Sequence, residues 1–245
     1  MKLHALHHVT MITGDARANA AFYADALGLR LHHGSFGDET GSPGSLLTWL
    51  ESPGAARGAA GAGMVHRVEL GVAGAPALAF WKDRLDRLGV ATSESPKGLR
   101  FADGDGLELE LQGDTHKNPP LVAGHPDIPA EYALQGIQGA RAYASDPGGA
   151  RAFLTETLGF DHKRDHEYVL GAGDRHVHWG YDQSDAPGRP GAGTVERIAW
   201  YLPDAAHLAA WREHLLAAGV EAGDASPTAI AFRTPEGIQF EIATA

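Results

Sequence analysis

Short runs of alternating apolar and polar residues recur along the chain, and stretches with apolar residues at helical spacing lie between them. Successive side chains of a strand take opposite faces, so each run assigns its residues to two sets. In LHHVTMIT, Val9 and Met11 share one face, and His8 and Thr10 the other. In VHRVELGV, Val68, Leu70 and Val72 oppose Arg67 and Glu69, and in GLELELQ, Leu107, Leu109 and Leu111 oppose Glu108 and Glu110. Val177, Trp179 and Tyr181 oppose His176 and His178. Ile198, Trp200 and Leu202 oppose Arg197, while Ile238, Phe240 and Ile242 oppose Gln239 and Glu241. By the same parity His7 points away from the His8 face and Glu196 away from the Arg197 face. The helical stretches AFYADALGLRL, AFWKDRLDRLGV, AFLTETLGFDH and AAWREHLLAAGV each close at a glycine: Gly28, Gly89, Gly159 and Gly219.

These blocks repeat. AFYADALGLRL returns as AFLTETLGFDH, VHRVELGV as VERIAWYL, AFWKDRLDRLGV as AAWREHLLAAGV, and GLELELQ as GIQFEIA, in the same order and at nearly the same shift. An internal duplication follows, and each half divides again. The predicted fold is α+β, four βαβββ modules in two tandem halves, with curled mixed sheets enclosing a pocket. Residues 1–113 form the first half, 114–133 a proline-rich linker and 134–245 the second half. PGAARGAAGAG and DAPGRPGAG read as turn-rich joints between modules. Helices must cover the apolar faces. The polar faces then meet either water or a concavity lined by His8 and Glu241.

Composition narrows the chemistry. The 245 residues are 43% hydrophobic and 21% charged, with a net charge of −11 and no cysteine. No basic stripe is available to neutralise phosphates, so neither nucleic acid nor an anionic membrane is expected as a partner. Disulfides, thiolate nucleophiles and cysteine metal sites are excluded, which leaves His, Asp and Glu as candidate metal ligands. The N-terminal residues lack the apolar core of a signal peptide, and a cytoplasmic protein is expected.

LHHVTMIT, FYADALGLRL, GDETGSPGSLLTW, GRPGAGTV and TPEGIQFEIAT resemble the vicinal oxygen chelate superfamily, which includes glyoxalases, bleomycin resistance proteins and extradiol dioxygenases. Over nearly the whole chain the resemblance is to its four-module glyoxalase-type dioxygenases, which cleave hydroquinone rings. The resemblance implies a metal(II)-dependent oxidoreductase that uses Fe(II) or Mn(II) to open a dihydroxylated aromatic ring. It implies His8 and Glu241 as metal ligands. The family's remaining ligand is the second histidine of a TVHHIAF-like strand, which here reads TVERIAW, so Arg197 stands at that position. A guanidinium has no lone pair to donate. Glu196 serves as a third ligand only if the strand is bulged or shifted by one residue.

Two readings follow. In the first, the chain is a ring-cleaving dioxygenase whose third ligand comes from elsewhere. In the second, Arg197 fills the place of the metal cation against Glu241, and a metal-free pocket lined by Arg197, Thr10, Trp49 and Tyr201 binds a small aromatic or anionic molecule. That second class includes sequestering resistance proteins. Arg67 and Glu110 repeat the Arg197–Glu241 pattern one module earlier, and with His176 and His178 they outline a candidate second site. The resemblance is also compatible with a homodimer.

Overall fold

The computed structural model describes residues 1–113, 116–172 and 174–244. Asp114 and Thr115, where the linker begins, lie outside the described residues. The chain supplies sixteen strands among these residues. Those of the first half are β1 (Ala5–Thr13), β2 (Arg30–His32), β3 (Ser35–Gly37), β4 (Leu46–Glu51), β5 (Met64–Val72), β6 (Ser93–Glu94), β7 (Gly98–Ala102) and β8 (Glu108–Gly113). Those of the second are β9 (Ile137–Ala144), β10 (Asp161–Arg164), β11 (Glu167–Ala172), β12 (Arg175–Gln183), β13 (Val195–Leu202), β14 (Ala222–Ser226), β15 (Ala229–Arg233) and β16 (Gln239–Thr244). Helices α1 (Ala16–Ala21), α2 (Ala75–Arg87) and α3 (Ala206–Ala217) follow the first strands of modules one, two and four.

The strands form two open eight-stranded mixed sheets. The first runs β14-β15-β16-β13-β1-β4-β3-β2 and the second β10-β11-β12-β9-β5-β8-β7-β6. Each sheet therefore joins one module from each half: one with four, and two with three. Antiparallel seams between β1 and β13 and between β5 and β9 make the joins.

The apolar sets read from the sequence are buried. Val68, Val72, Leu109, Leu111, Ile198, Trp200, Phe240 and Ile242 are fully enclosed in one continuous core. Trp179 of the second sheet packs edge-on against Trp200 and Phe240 of the first, at 5.9 and 5.1 Å between ring centres, so the two sheets share this core. The four glycines that end the helical stretches all adopt left-handed backbone, with φ between +73° and +79°, as a helix C-terminus requires.

Two features depart from the sequence-based picture. The helical segments of modules one and three contain π-helical turns at Phe22–Ala26 and Phe153–Thr157, with Leu27 and Leu158 N–H groups reaching back five residues. The turn-rich joints are also more than turns. The amides of Gly58, Ala59 and Ala62 donate to Ala192, Arg189 and Ala186 at 2.9 Å, strapping the two halves together. Gly61 lies where the straps touch, and a Cβ there would meet the Gly188 nitrogen at 2.3 Å and the Ala186 oxygen at 2.4 Å. Overpacking of this kind costs about 1–3 kcal/mol. The Gly61→Ala variant is expected to lose stability in that range by urea denaturation, and an unchanged midpoint would contradict the close strap contact.

Candidate functional site

The first open face is organised by one row of neighbouring residues. His8 on β1 lies opposite Ala199 on β13, and Ala199 lies opposite Glu241 on β16. Strands lie about 4.8 Å apart, so His8 and Glu241 stand roughly 10 Å apart at the backbone, with only a methyl group between them. Arg197 is two residues from Ala199 on the middle strand and shares its face. It forms the third corner of the triangle.

The seam between β1 and β13 is interrupted twice. Leu6 pairs with Trp200 and His8 with Ala199, leaving His7 as an extra residue; Thr10 pairs with Arg197 and Met11 with Val195, leaving Glu196 extra. A bulge places two successive side chains against one partner and suspends the parity of the strand. His7 and Glu196 consequently join the open face, against the simple alternation. His7 Nδ1 lies 2.9 Å from His8 Nδ1, and its ring is 5.9 Å from that of Tyr201. Glu196 Oε2 lies 3.0 Å from Arg197 Nε, a close charge contact without hydrogen-bond alignment.

Arg197 Nη1 donates to Glu241 Oε2 at 3.1 Å. Burial raises the Glu241 carboxyl above the usual range despite the opposing pull of Arg197. His8 is held down to a pKa of about 3, first by burial and then by the fields of His7 and Arg197. His7 is lowered by burial. The face therefore carries two neutral histidines at pH 7 and one guanidinium placed against two carboxyls.

A two-histidine, one-carboxylate metal site needs three lone-pair donors converging on one point. Here the third corner is a guanidinium that donates to the carboxylate itself. Among the described residues, no three His, Asp or Glu side chains stand close enough to hold a metal ion. The arrangement thus does not fit Fe(II) or Mn(II).

Thr10 is buried in register between Arg197 and Thr48, on the open side. Trp49 is a correction: it is in register with Met11 and packs on Tyr23 and Phe36 at 4.8 and 5.0 Å, on the core side. A cavity of about 200 Å³ opens beside Arg197 and Glu196, walled by Ile12, Met64, Val65 and Ile238, with Arg233 and Gln239 at its rim. Met64 and Arg233 carry no motif that sequence reading could have used.

The four residues of the candidate second site share the second sheet's open face but not one cluster. Arg67 Nη1 donates to Glu110 Oε2 at 3.2 Å, and Arg67 Nε bonds Glu108. Arg100 Nε adds a 3.4 Å ion pair to Glu110. The seam between β5 and β9 bulges at His66, the counterpart of Glu196, and at Gln138, the counterpart of His7. His66 thus reaches Asp182 at 2.8 Å, which Arg141 also grips with Nε and Nη2. Burial would raise the Asp182 carboxyl, but these hydrogen bonds hold it well below the usual range. His176 and His178 sit apart on β12, with the ring of His116 5.6 and 4.3 Å away.

His8 generates a prediction about pH. Unfolded, it regains an ordinary value near 6.5 and binds more protons than the folded form, whose value is about 3. Its contribution is therefore present above the unfolded value and is lost as pH falls toward the folded one. In urea melts the native chain should lose stability from pH 7 to pH 5, and His8→Gln should lose measurably less. Equal losses would contradict a buried neutral His8.

Comparison with known proteins agrees with this layout. The family model described as "Glyoxalase/Bleomycin resistance protein/Dioxygenase superfamily" matches residues 5–111 and 136–242. The chain is 30% identical to "Putative ring-cleaving dioxygenase MhqE" of Bacillus subtilis (strain 168), over 100% of this chain and 88% of that protein. It is 30% identical to the chlorohydroquinone/hydroquinone 1,2-dioxygenase of Sphingobium indicum over 56% of this chain and 48% of that one. The crystal structure of a "putative dioxygenase" from Bacillus subtilis superimposes with a TM-score of 0.88 at 29% identity, covering 99% of this chain and 86% of that one. No helix among the described residues is long and apolar enough to cross a membrane. The chain belongs to the glyoxalase/bleomycin resistance protein/dioxygenase superfamily.

Proposed function

We propose that this chain binds a single-ring hydroxylated aromatic on its first open face without cleaving it, on a scaffold shared with ring-cleaving dioxygenases. The observation that carries this reading is the 3.1 Å contact from Arg197 to Glu241, where a metal triad would need a lone-pair donor. Ring cleavage by the superfamily's metal chemistry calls for a cation that orders substrate and O2 together. In this chain the guanidinium takes the cation's place against the carboxylate.

Size and charge support the ligand class. A void of about 150 Å³ is enough to hold benzene, and the cavity beside Arg197 measures about 200 Å³, with apolar side chains of Ile12, Met64, Val65 and Ile238 beside the charged ones. The ring lies against Met64 and Ile12, and its hydroxyl donates to Glu196 and accepts from Arg197. An anionic ligand, the other half of the sequence-based expectation, is disfavoured at this face. Arg197 already faces two carboxyls, and the other cation of this cavity, Arg233, stands exposed at the rim with its Nη1 donating to the Gly237 carbonyl. Neutral His7 and His8 supply hydrogen bonds but no charge.

One observation favours a second reading, a metal(II)-dependent dioxygenase. The bulge in β13 brings Glu196 onto the face with His8 and Glu241, so an outward turn of Arg197, whose side chain is 31% exposed, would leave a His–Glu–Glu donor set. The two readings separate on metal retention after anaerobic loading with Fe(II) or Mn(II) and desalting. The native chain is expected to retain far less than one metal per chain while still binding hydroquinone without consuming O2. Arg197→His is expected to gain about one metal per chain by completing the triad. Stoichiometric metal in the native chain, lost in Glu241→Ala, would establish the dioxygenase reading instead.

A further inference from the structure

The open face of the second sheet carries a trough that the proposed function does not use. Two cavities of about 390 and 430 Å³ share Pro96, Lys97 and Glu167 and form its two ends. Lys97 reaches across from the turn between β6 and β7. Its Nζ stands 3.9 Å from Glu69 on β5 and 3.9 Å from Glu167 on β11. Both distances exceed a hydrogen bond, so the ammonium is held by charge alone and its three N–H groups remain available.

The two ends differ in how their charges are matched. At the first end every arginine is committed: Arg67 to Glu108 and Glu110, Arg100 to Glu110, and Arg141 to Asp182 and Glu167. At the second end Lys97, Lys163 and Arg164 face one carboxylate, Glu167, which Arg141 already binds at 2.5 Å. Lys163 and Arg164 make no ion pair or side-chain hydrogen bond among the described residues. Three cations without a hydrogen-bonded carboxylate, Lys97 held only by its two 3.9 Å contacts, thus converge on one cavity of a chain whose net charge is −11. Like charges gathered this way repel one another, and a concave site focuses their field on an incoming anion.

The floor points the same way. Glu69 is 1% exposed, and neither of its oxygens accepts a hydrogen bond. Burial raises its carboxyl above the usual range, against the opposing pull of Lys97. Gly139 occupies the place that His8 holds on the other sheet. A Cβ there would meet Glu69 Oε2 and the His178 Cβ, each at 2.8 Å. The duplication that kept a histidine on one face has cleared the equivalent position on the other.

We propose that this trough is a second binding site, for a small molecule bearing a carboxylate or phosphate group held between Lys97, Lys163 and Arg164. Charge-assisted hydrogen bonds from the two lysines and the arginine supply the recognition, and the ligand replaces the long contacts Lys97 makes with Glu69 and Glu167.

The test is isothermal titration of benzoate and of inorganic phosphate into the full chain at low ionic strength. The native chain, Lys97→Met, the Lys163→Ala/Arg164→Ala double variant and Arg17→Ala would be compared, with folding of each checked by circular dichroism. Arg17 is exposed on α1 and lines neither cavity, and its replacement removes one positive charge elsewhere. Saturable binding is expected in the native chain and in Arg17→Ala, weakened at least about tenfold in both trough variants. Tighter benzoate would assign an organic carboxylate, and tighter phosphate a phosphate ester; either supports the site. The proposal is overturned if neither probe saturates the native chain, or if Arg17→Ala weakens binding as much as the trough variants do. Neither probe reports on metal or hydroquinone, so this result stands apart from that of the first face.

Discussion

Two antiparallel seams, β1 on β13 and β5 on β9, set what each face of the molecule presents. Each seam joins a module of the first half to one of the second, and each carries two bulges at equivalent places. A regular ladder would leave His7 and Glu196 on the core side, where a buried charge without a partner is costly. The bulges turn them outward instead. The composition of both open faces follows from this interruption of the ladder.

On the first face the result is a site whose corners are familiar in kind but not in content. His8 and Glu241 lean over Ala199 from either side. Arg197 closes the triangle with a guanidinium and links to both Glu241 and Glu196. Removing one partner of such a half-buried pair leaves the other uncompensated, so Arg197 and Glu241 constrain each other. On the second face the same Arg–Glu pair recurs as Arg67 and Glu110, extended by Arg100, Arg141 and Asp182 into a denser set of ion pairs. That density saturates one end of the trough and leaves the cations of the other unmatched.

Much of this was legible from residue order. The duplication, the four modules and the apolar faces follow from alternation and repeat spacing, because period-two burial needs no tertiary information. The pairing of Arg197 with Glu241 also follows, since both residues oppose apolar sets in one module. His7 and Glu196 were assigned to the wrong face because a one-residue insertion in a ladder leaves no compositional mark. Trp49 was misplaced for a related reason: its face is fixed by its register against Met11 on β1, which lies far away in sequence. The glycine-rich joints read as simple turns, because their pairing with each other depends on how the halves meet.

The central claim is that Arg197 holds the cation's place on the first face. A crystal structure of the full chain grown with excess Mn(II) tests it most directly. The account predicts Arg197 Nη1 still within hydrogen-bond distance of Glu241 and no metal between His8 and Glu241. A manganese ion bound by His8, Glu196 and Glu241, with Arg197 turned outward, would contradict it.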